Sequence, residues 1–187
     1  GTTVTATVKD LTGYTTTFSS WTNGTATVTG NLTVTANFAR TANSYKIAFN
    51  GNGATNGAMA TISATYDKST TLSRGAFIRP GYTFTGWATS STGSKAYNDK
   101  ASVTNLSSTN GATVTLYAVW TKDTYSITYN LGGGTNASGA ATSYNIDSNA
   151  ITLPTPTKTG YTFKGWTEVI NSGTMNDGFL NMSTGYV

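Results

Sequence analysis

The chain has 187 residues, of which 11 are Lys or Arg and seven are Asp or Glu, and only 10% are charged, giving a net charge of +4. The 12% aromatic content excludes a disordered polyelectrolyte, and the absence of His and Cys excludes disulfides, thiolate or imidazole metal sites and Ser-His or Cys-His catalysis. The cations are spread singly and no long apolar run occurs, so we expect neither nucleic-acid binding nor membrane insertion.

Alternation of apolar and polar residues predicts β-strands along the chain, because period two places one side of a strand on a core. Thr is the most abundant residue, and its β-branched side chain favours strands. In chain order the predicted strands cover residues 4–8, 32–38, 45–49, 114–120 and 125–129. Helix is expected to be scarce, and residues 100–107 are the best candidate for a helical turn.

Two sequence blocks repeat in the same order. The string Gly-Tyr-Thr-Phe-x-Gly-Trp occurs at residues 81–87 and 160–166, with a looser copy at 13–21. A Tyr-x-Ile-x-aromatic-Asn block begins at Tyr45 and again at Tyr125, an interval of 80 residues. A third block ends in an aromatic residue at Phe38 and at Trp120. These blocks indicate tandem duplication.

The repeats predict three units. Residues 1–42 would be a partial or divergent unit that holds only the C-terminal portion, and 43–121 a complete unit. Residues 122–187 would be a unit that lacks its last strand, because the interval from Trp87 to Trp120 would carry it past Val187. The short polar linkers, 39–44 and 121–124, suggest modules arranged as beads on a string with limited hinge freedom.

In this order the blocks resemble the Listeria–Bacteroides repeat, also called the internalin B-repeat. The likeness covers residues 43–187 well and 11–42 loosely. It implies small β-grasp-like modules, displayed in tandem on secreted or surface-anchored bacterial proteins. It offers no catalytic residues to transfer. The first copy departs from the pattern, since Gly13-Tyr14-Thr15 is followed by Thr-Thr-Phe-Ser-Ser-Trp.

Aromatic residues at repeat-equivalent positions are predicted to form the cores, because aromatic side chains bury large areas. Sugar stacking by the Trp side chains is the alternative. The glycines at 51–53 and 132–134 predict turns rather than phosphate cradles, since no Gly-Lys-Ser/Thr follows them. Asp99 and Asp147 are read as turn or cap residues rather than calcium ligands, and neither metal nor cofactor is expected. The predicted core residues are Tyr82, Phe84, Trp87, Trp120, Tyr161, Phe163 and Trp166.

The expected function is that of a non-catalytic spacer or stalk at the bacterial cell surface or outside the cell, displaying a functional head. The scattered Asp and Glu residues do not support an enzyme. The alternative is an adhesion module that binds a host protein or glycan through Arg74, Arg79 and Tyr97. Because the third unit is expected to have an open sheet edge, residues 2–8 of another copy could pair there, giving head-to-tail self-association by strand addition.

Overall fold

The computed structural model describes residues 8–22, 30–169 and 180–186 of the chain, and every regular element in them is a β-strand. In this part of the chain there is no helix that is long and apolar enough to cross a membrane. The strands are β1 (Tyr14–Thr22), β2 (Thr35–Ala42), β3 (Ser44–Asn50), β4 (Ile62–Thr65), β5 (Thr70–Thr71), β6 (Tyr82–Ala88), β7 (Ser102–Val103), β8 (Thr113–Lys122), β9 (Tyr125–Asn130), β10 (Ser143–Tyr144), β11 (Phe163–Val169) and β12 (Leu180–Tyr186).

The helical turn expected at residues 100–107 is not formed. Lys100 and Asn105 have φ angles of +57° and +56°, which lie in the left-handed region and interrupt a right-handed helix. Between them the chain forms the short strand β7, which pairs with β5. The prediction of little helix is confirmed for the described residues.

The chain divides into two compact units. Unit 1 comprises residues 1–80 and 84–120, and unit 2 comprises residues 81–83 and 121–187. Unit 1 holds the β1–β2 hairpin and a sheet with the strand order β4-β3-β8-β6, whereas unit 2 holds a sheet with the order β10-β9-β12-β11. The hairpin of the predicted first repeat therefore clusters with the second repeat rather than forming a compact unit of its own.

The two four-stranded sheets share a central parallel pair. In unit 1, β3 runs parallel to β8, with Ile47 opposite Val114 and Phe49 opposite Leu116. In unit 2, β9 runs parallel to β12, with Ile127 opposite Leu180. Parallel neighbours need a long crossover connection, and here the segment between them contains the Gly-Tyr-Thr-Phe block.

The third repeat does not lack its last strand, which corrects the sequence-based expectation. β12 lies between β9 and β11, the position that β8 holds between β3 and β6 in unit 1. The spacing between Trp residues is misleading, because β11 ends at Val169 and β12 begins at Leu180, a much shorter interval than that from Ala88 to Thr113. The position assigned to a strand of another copy is thus already filled, and residues 2–7 of that strand lie outside the described residues.

The core of unit 1 is built around the indole of Trp87, which is fully buried. Phe49 and Phe84 pack against it with ring centroids 4.8 and 4.9 Å away. Trp120 is half-buried, contacts Phe84 and donates its indole N–H to the carbonyl of Gly51 at 2.9 Å. The core role predicted for these aromatic residues agrees with this packing.

The equivalent core of unit 2 is smaller. Tyr129 and Phe163 lie 5.3 and 5.5 Å from Trp166, between ring centroids, and both are half-buried. Tyr161 departs from the prediction, because 54% of its surface is exposed and its ring faces the ammonium of Lys158 at 4.2 Å. Tyr161 precedes β11, so the sheet does not direct its ring into the core.

Candidate functional site

Asn43 is the single residue between β2 and β3, and it joins the hairpin to the following repeat inside unit 1. Its backbone N–H donates to the carbonyl of Gly13 at 2.8 Å, and its side-chain oxygen accepts from the hydroxyl of Thr15 at 2.6 Å. On the other side, its carbonyl accepts from the N–H of Tyr66 at 2.8 Å, and its amide group donates to the carbonyl of Ser108 at 2.8 Å. Asn43 is 9% exposed, so these bonds satisfy a buried polar side chain.

Gly13 allows the hairpin to approach the repeat closely. Its φ angle is +79°, and a Cβ placed on it would lie 2.2 Å from the ring of Tyr66. The ring of Tyr14 packs edge-on to the same tyrosine, with centroids 5.9 Å apart. Only glycine fits here, because a side chain would meet both an unfavourable backbone conformation and an aromatic ring.

A polar network closes the outer side of this contact. The phenol of Tyr14 donates to one carboxylate oxygen of Asp67 at 2.8 Å, and the amide of Asn105 donates to the other at 2.7 Å. The bond from Asn105, followed by that from Tyr14, lowers the pKa of Asp67 because both favour the charged carboxylate. The same bond to Asp67 raises the pKa of the Tyr14 phenol.

The Asp67→Asn substitution is expected to weaken the acid sensitivity of unit 1. The pKa of Asp67 is lower in the folded than in the unfolded state, so its stabilising effect is complete above the ordinary Asp pKa, about 3.9, and is lost as the pH falls through the lower folded value. Urea unfolding between about pH 7 and pH 2 checks this linkage, since the difference between wild type and variant should shrink at the acidic end. Tyr14→Phe, which keeps the Asn105 bond, should retain part of the dependence; an unchanged difference at every pH would contradict the assignment.

The same arrangement recurs within unit 2. The N–H of Asp123 donates to the carbonyl of Gly81 at 2.9 Å, and the hydroxyl of Thr83 donates to the Asp123 carboxylate at 2.5 Å. A Cβ on Gly81, whose φ is +74°, would lie 2.8 Å from Ile146. Ile146 follows Tyr66 by 80 residues, the repeat interval. We call the Gly-Tyr-Thr tripeptide together with the Asn or Asp that it binds the clamp.

The outer side of the second clamp uses an ion pair. Lys122 contacts the carboxylate of Asp147, which follows Asp67 by 80 residues. The hydrogen bond to Asp147 raises the pKa of Lys122. Both side chains are exposed, so this pair adds little stability on its own. The acidic position of the network is retained while its donor changes from a phenol to an ammonium.

The third Gly-Tyr-Thr copy, at residues 160–162, has a different environment. Gly160 has a φ of +80°, yet a Cβ placed on it would meet nothing within 4 Å. The positive φ therefore belongs to the turn before the strand, whereas the close approach belongs to the clamp. This contrast separates the two reasons for glycine at this position.

The residues predicted for ligand contact have separate neighbours. Arg79 lies against Gly53, 3.2 Å from the position of a Cβ there, and Arg74 is exposed. Tyr97 is half-buried against the core, and its N–H donates to the carbonyl of Trp87 at 3.0 Å. A role of these three residues in binding remains a prediction.

The turn and cap residues can also be placed. Asn52 and Gly53 have positive φ angles, as do Gly132 and Gly133, which fits the turns predicted there. Asp99 accepts the N–H of Gly75 at 2.8 Å, as a capping carboxylate does. Among the described residues, no three His, Cys, Asp or Glu side chains are grouped so that they could hold a metal ion.

Sequence reasoning does not identify the clamp, although a signal is present. An Asn or Asp stands two residues before each Tyr-x-Ile block, as Asn43 before Tyr45 and Asp123 before Tyr125. The signal is weak because Asn and Asp are common in linkers and turns.

Comparison with known proteins places this repeat among described ones. The model of the Listeria-Bacteroides repeat domain matches residues 45–119 and 125–184. A protein of Evansella cellulosilytica named "Putative Gly-rich membrane protein" is 37% identical over 90 residues, which are 48% of this chain and 10% of that protein. The chain thus spans about a tenth of the length of this relative. No solved structure matches the chain.

Proposed function

The chain belongs to the Listeria–Bacteroides repeat family, and from this premise we propose that it is a non-catalytic spacer in a bacterial surface or secreted protein. The family is typical of bacterial surface proteins, and the relative from Evansella cellulosilytica is described as a membrane protein. Each repeat would be a β-grasp-like module, a proposal supported by the central parallel pair in both sheets. The spacer would hold a functional head away from the cell envelope.

The observation that carries this proposal is the clamp around Asn43. A spacer transmits length only if its parts resist folding back on one another. Here one residue links β2 to β3, and its backbone and side chain are bound on both sides. A buried polar residue with all partners in place holds its neighbours in one arrangement, because breaking it exposes several unsatisfied groups. The hairpin is therefore fixed on the repeat rather than tethered to it.

The surface composition also suits a spacer. Only 10% of the residues are charged, and Thr is the most abundant residue. Thr hydroxyls keep the solvent face of a strand hydrated without creating a strong electrostatic field that would attract charged partners. Length in such an array can be set by the number of units.

The spacer proposal predicts that length grows in equal steps. Extra copies of residues 43–122 would be inserted after Lys122 in the full chain, and the maximum dimension would be measured by small-angle X-ray scattering. We expect a constant increment for each added copy. A matched series with Asn43→Ala, Asp123→Ala and the corresponding change in each added copy should give smaller, less regular increments. A dimension that stops growing with copy number would contradict the proposal.

A binding experiment separates the spacer from an adhesion module. The full chain would be tested on a glycan array and on cultured epithelial cells, next to a variant with Arg74→Ala and Arg79→Ala. The spacer proposal expects only background binding in both cases. Saturable binding by the wild type that is lost in the variant would support adhesion instead.

A further inference from the structure

The β1–β2 hairpin has the aromatic residues of a repeat core but lacks part of their surroundings. Phe18 lies 5.3 Å from Trp21 and 6.0 Å from Phe38, between ring centroids. The complete repeat has the same set, in which Phe84 lies 4.9 Å from Trp87 and 5.7 Å from Trp120. The hairpin thus corresponds to β6 and β8, with β1 in the place of β6 and β2 in the place of β8.

The neighbour that completes this core elsewhere is the Tyr-x-Ile strand. β8 lies beside β3, and β12 lies beside β9, whereas among the described residues β2 pairs only with β1. The Tyr-x-Ile strand brings an aromatic ring to the conserved position of the core, as Phe49 does on Trp87 at 4.8 Å and Tyr129 on Trp166 at 5.3 Å.

Exposure shows the effect of this missing strand. Leu116 in β8 is fully buried, whereas Val34, the residue at the equivalent distance before the terminal aromatic residue, is 42% exposed. Leu32, Phe18 and Phe38 are likewise 39%, 48% and 40% exposed. An apolar face next to an unpaired strand edge is the usual receptor for an added strand.

We propose that the outer edge of β2 and the apolar face of the hairpin bind an extended Tyr-x-Ile-x-aromatic segment, which adds parallel to β2. The register follows from the β3–β8 pair, so the Ile of the segment would lie opposite Leu32 and its aromatic residue opposite Val34. The aromatic ring would then cover Trp21 as Phe49 covers Trp87. This surface is a function beyond the spacer role, since it recruits a strand rather than setting a length.

The test uses a labelled synthetic peptide with the sequence of residues 43–52, added to the full chain and followed by fluorescence anisotropy. We expect saturable binding at one peptide per chain. A peptide with Ile47→Asn should bind at least about tenfold more weakly, because a buried branched side chain contributes that much or more. Both substitutions used here are neutral, so the charge of each partner stays the same.

Two chain variants locate the binding face. Val34→Asn changes an exposed residue on the apolar face and should weaken binding by at least about tenfold. Thr35→Asn, its neighbour on the opposite face, should change binding by less than about twofold. Both sites are exposed in the unbound chain, so both variants are expected to fold.

Nuclear magnetic resonance distinguishes this site from exchange with β3. The peptide should shift the amide signals of residues 31–38 and leave those of β3 and β8 unchanged. The proposal is overturned if the peptide does not bind, if Val34→Asn binds as wild type does, or if β3 signals shift. It is also overturned if light scattering shows dimers of the chain that the peptide cannot dissociate, because a second copy would then be the occupant.

Discussion

Replacing Trp87 with Ala is expected to lower the free energy of unfolding of unit 1 by about 3–5 kcal/mol. The indole is fully buried, and its removal would leave a cavity between Phe49 and Phe84. In a module of this size such a loss is most or all of the available stability, because small domains are only marginally stable. Urea unfolding followed by circular dichroism checks the expected loss of the cooperative transition.

Trp21→Ala is the matched control for this substitution. Trp21 holds the equivalent position in the hairpin but is only half-buried, so its removal should cost no more than about half as much. A cost for Trp21→Ala equal to that for Trp87→Ala would contradict the assignment of Trp87 to a completed core and of Trp21 to an open one.

Gly13→Ala is expected to detach the hairpin from the repeat, at a cost of about 2–4 kcal/mol from backbone strain and overpacking together. The added methyl group would lie 2.2 Å from the ring of Tyr66, and the φ of +79° is unfavourable for Ala. Hydrogen exchange measures the result directly, because the amides of Asn43 and Tyr66 are donors in the contact. Both amides should exchange faster in the variant, while that of Trp87 should change little.

Gly160→Ala separates the strain from the clash. Gly160 has almost the same φ, +80°, but a Cβ there meets nothing within 4 Å. Only the strain of about 1 kcal/mol is expected, with no change at Asn43. If the two variants destabilised the chain equally, the contact with Tyr66 would be unimportant and the clamp would not explain how the hairpin is held.

The sequence predicts the strands well because each has one buried face. Tyr45 and Ile47 alternate with polar residues, and both are fully buried in β3. The aromatic core follows from the same logic, since Trp87 recurs as Trp166 at the repeat interval. Local pattern and tertiary burial agree at these positions, so reading one reveals the other.

The clamp and β12 cannot be predicted in this way. Gly13 and Asn43 are 30 residues apart, and their contact depends on how the hairpin meets the repeat. β12 is missed because the interval between Trp residues in one repeat is assumed to hold in the next. Tyr161 is assigned to the core from its motif position, although it lies outside β11 and 54% of its surface is exposed. Pattern reveals the face of a strand, but not the length of a connection or the partner of a turn.

The clamp has two halves that belong to different sequence copies. Gly-Tyr-Thr precedes the last strand of one copy, and the Asn or Asp stands before the first strand of the next. Asn43 and Asp123 accept the Thr hydroxyl in the same way, so the halves are interchangeable. Unequal recombination between copies would therefore regenerate an intact junction at each crossover. Such a gene can gain or lose copies in a single event, and every resulting length inherits a working joint.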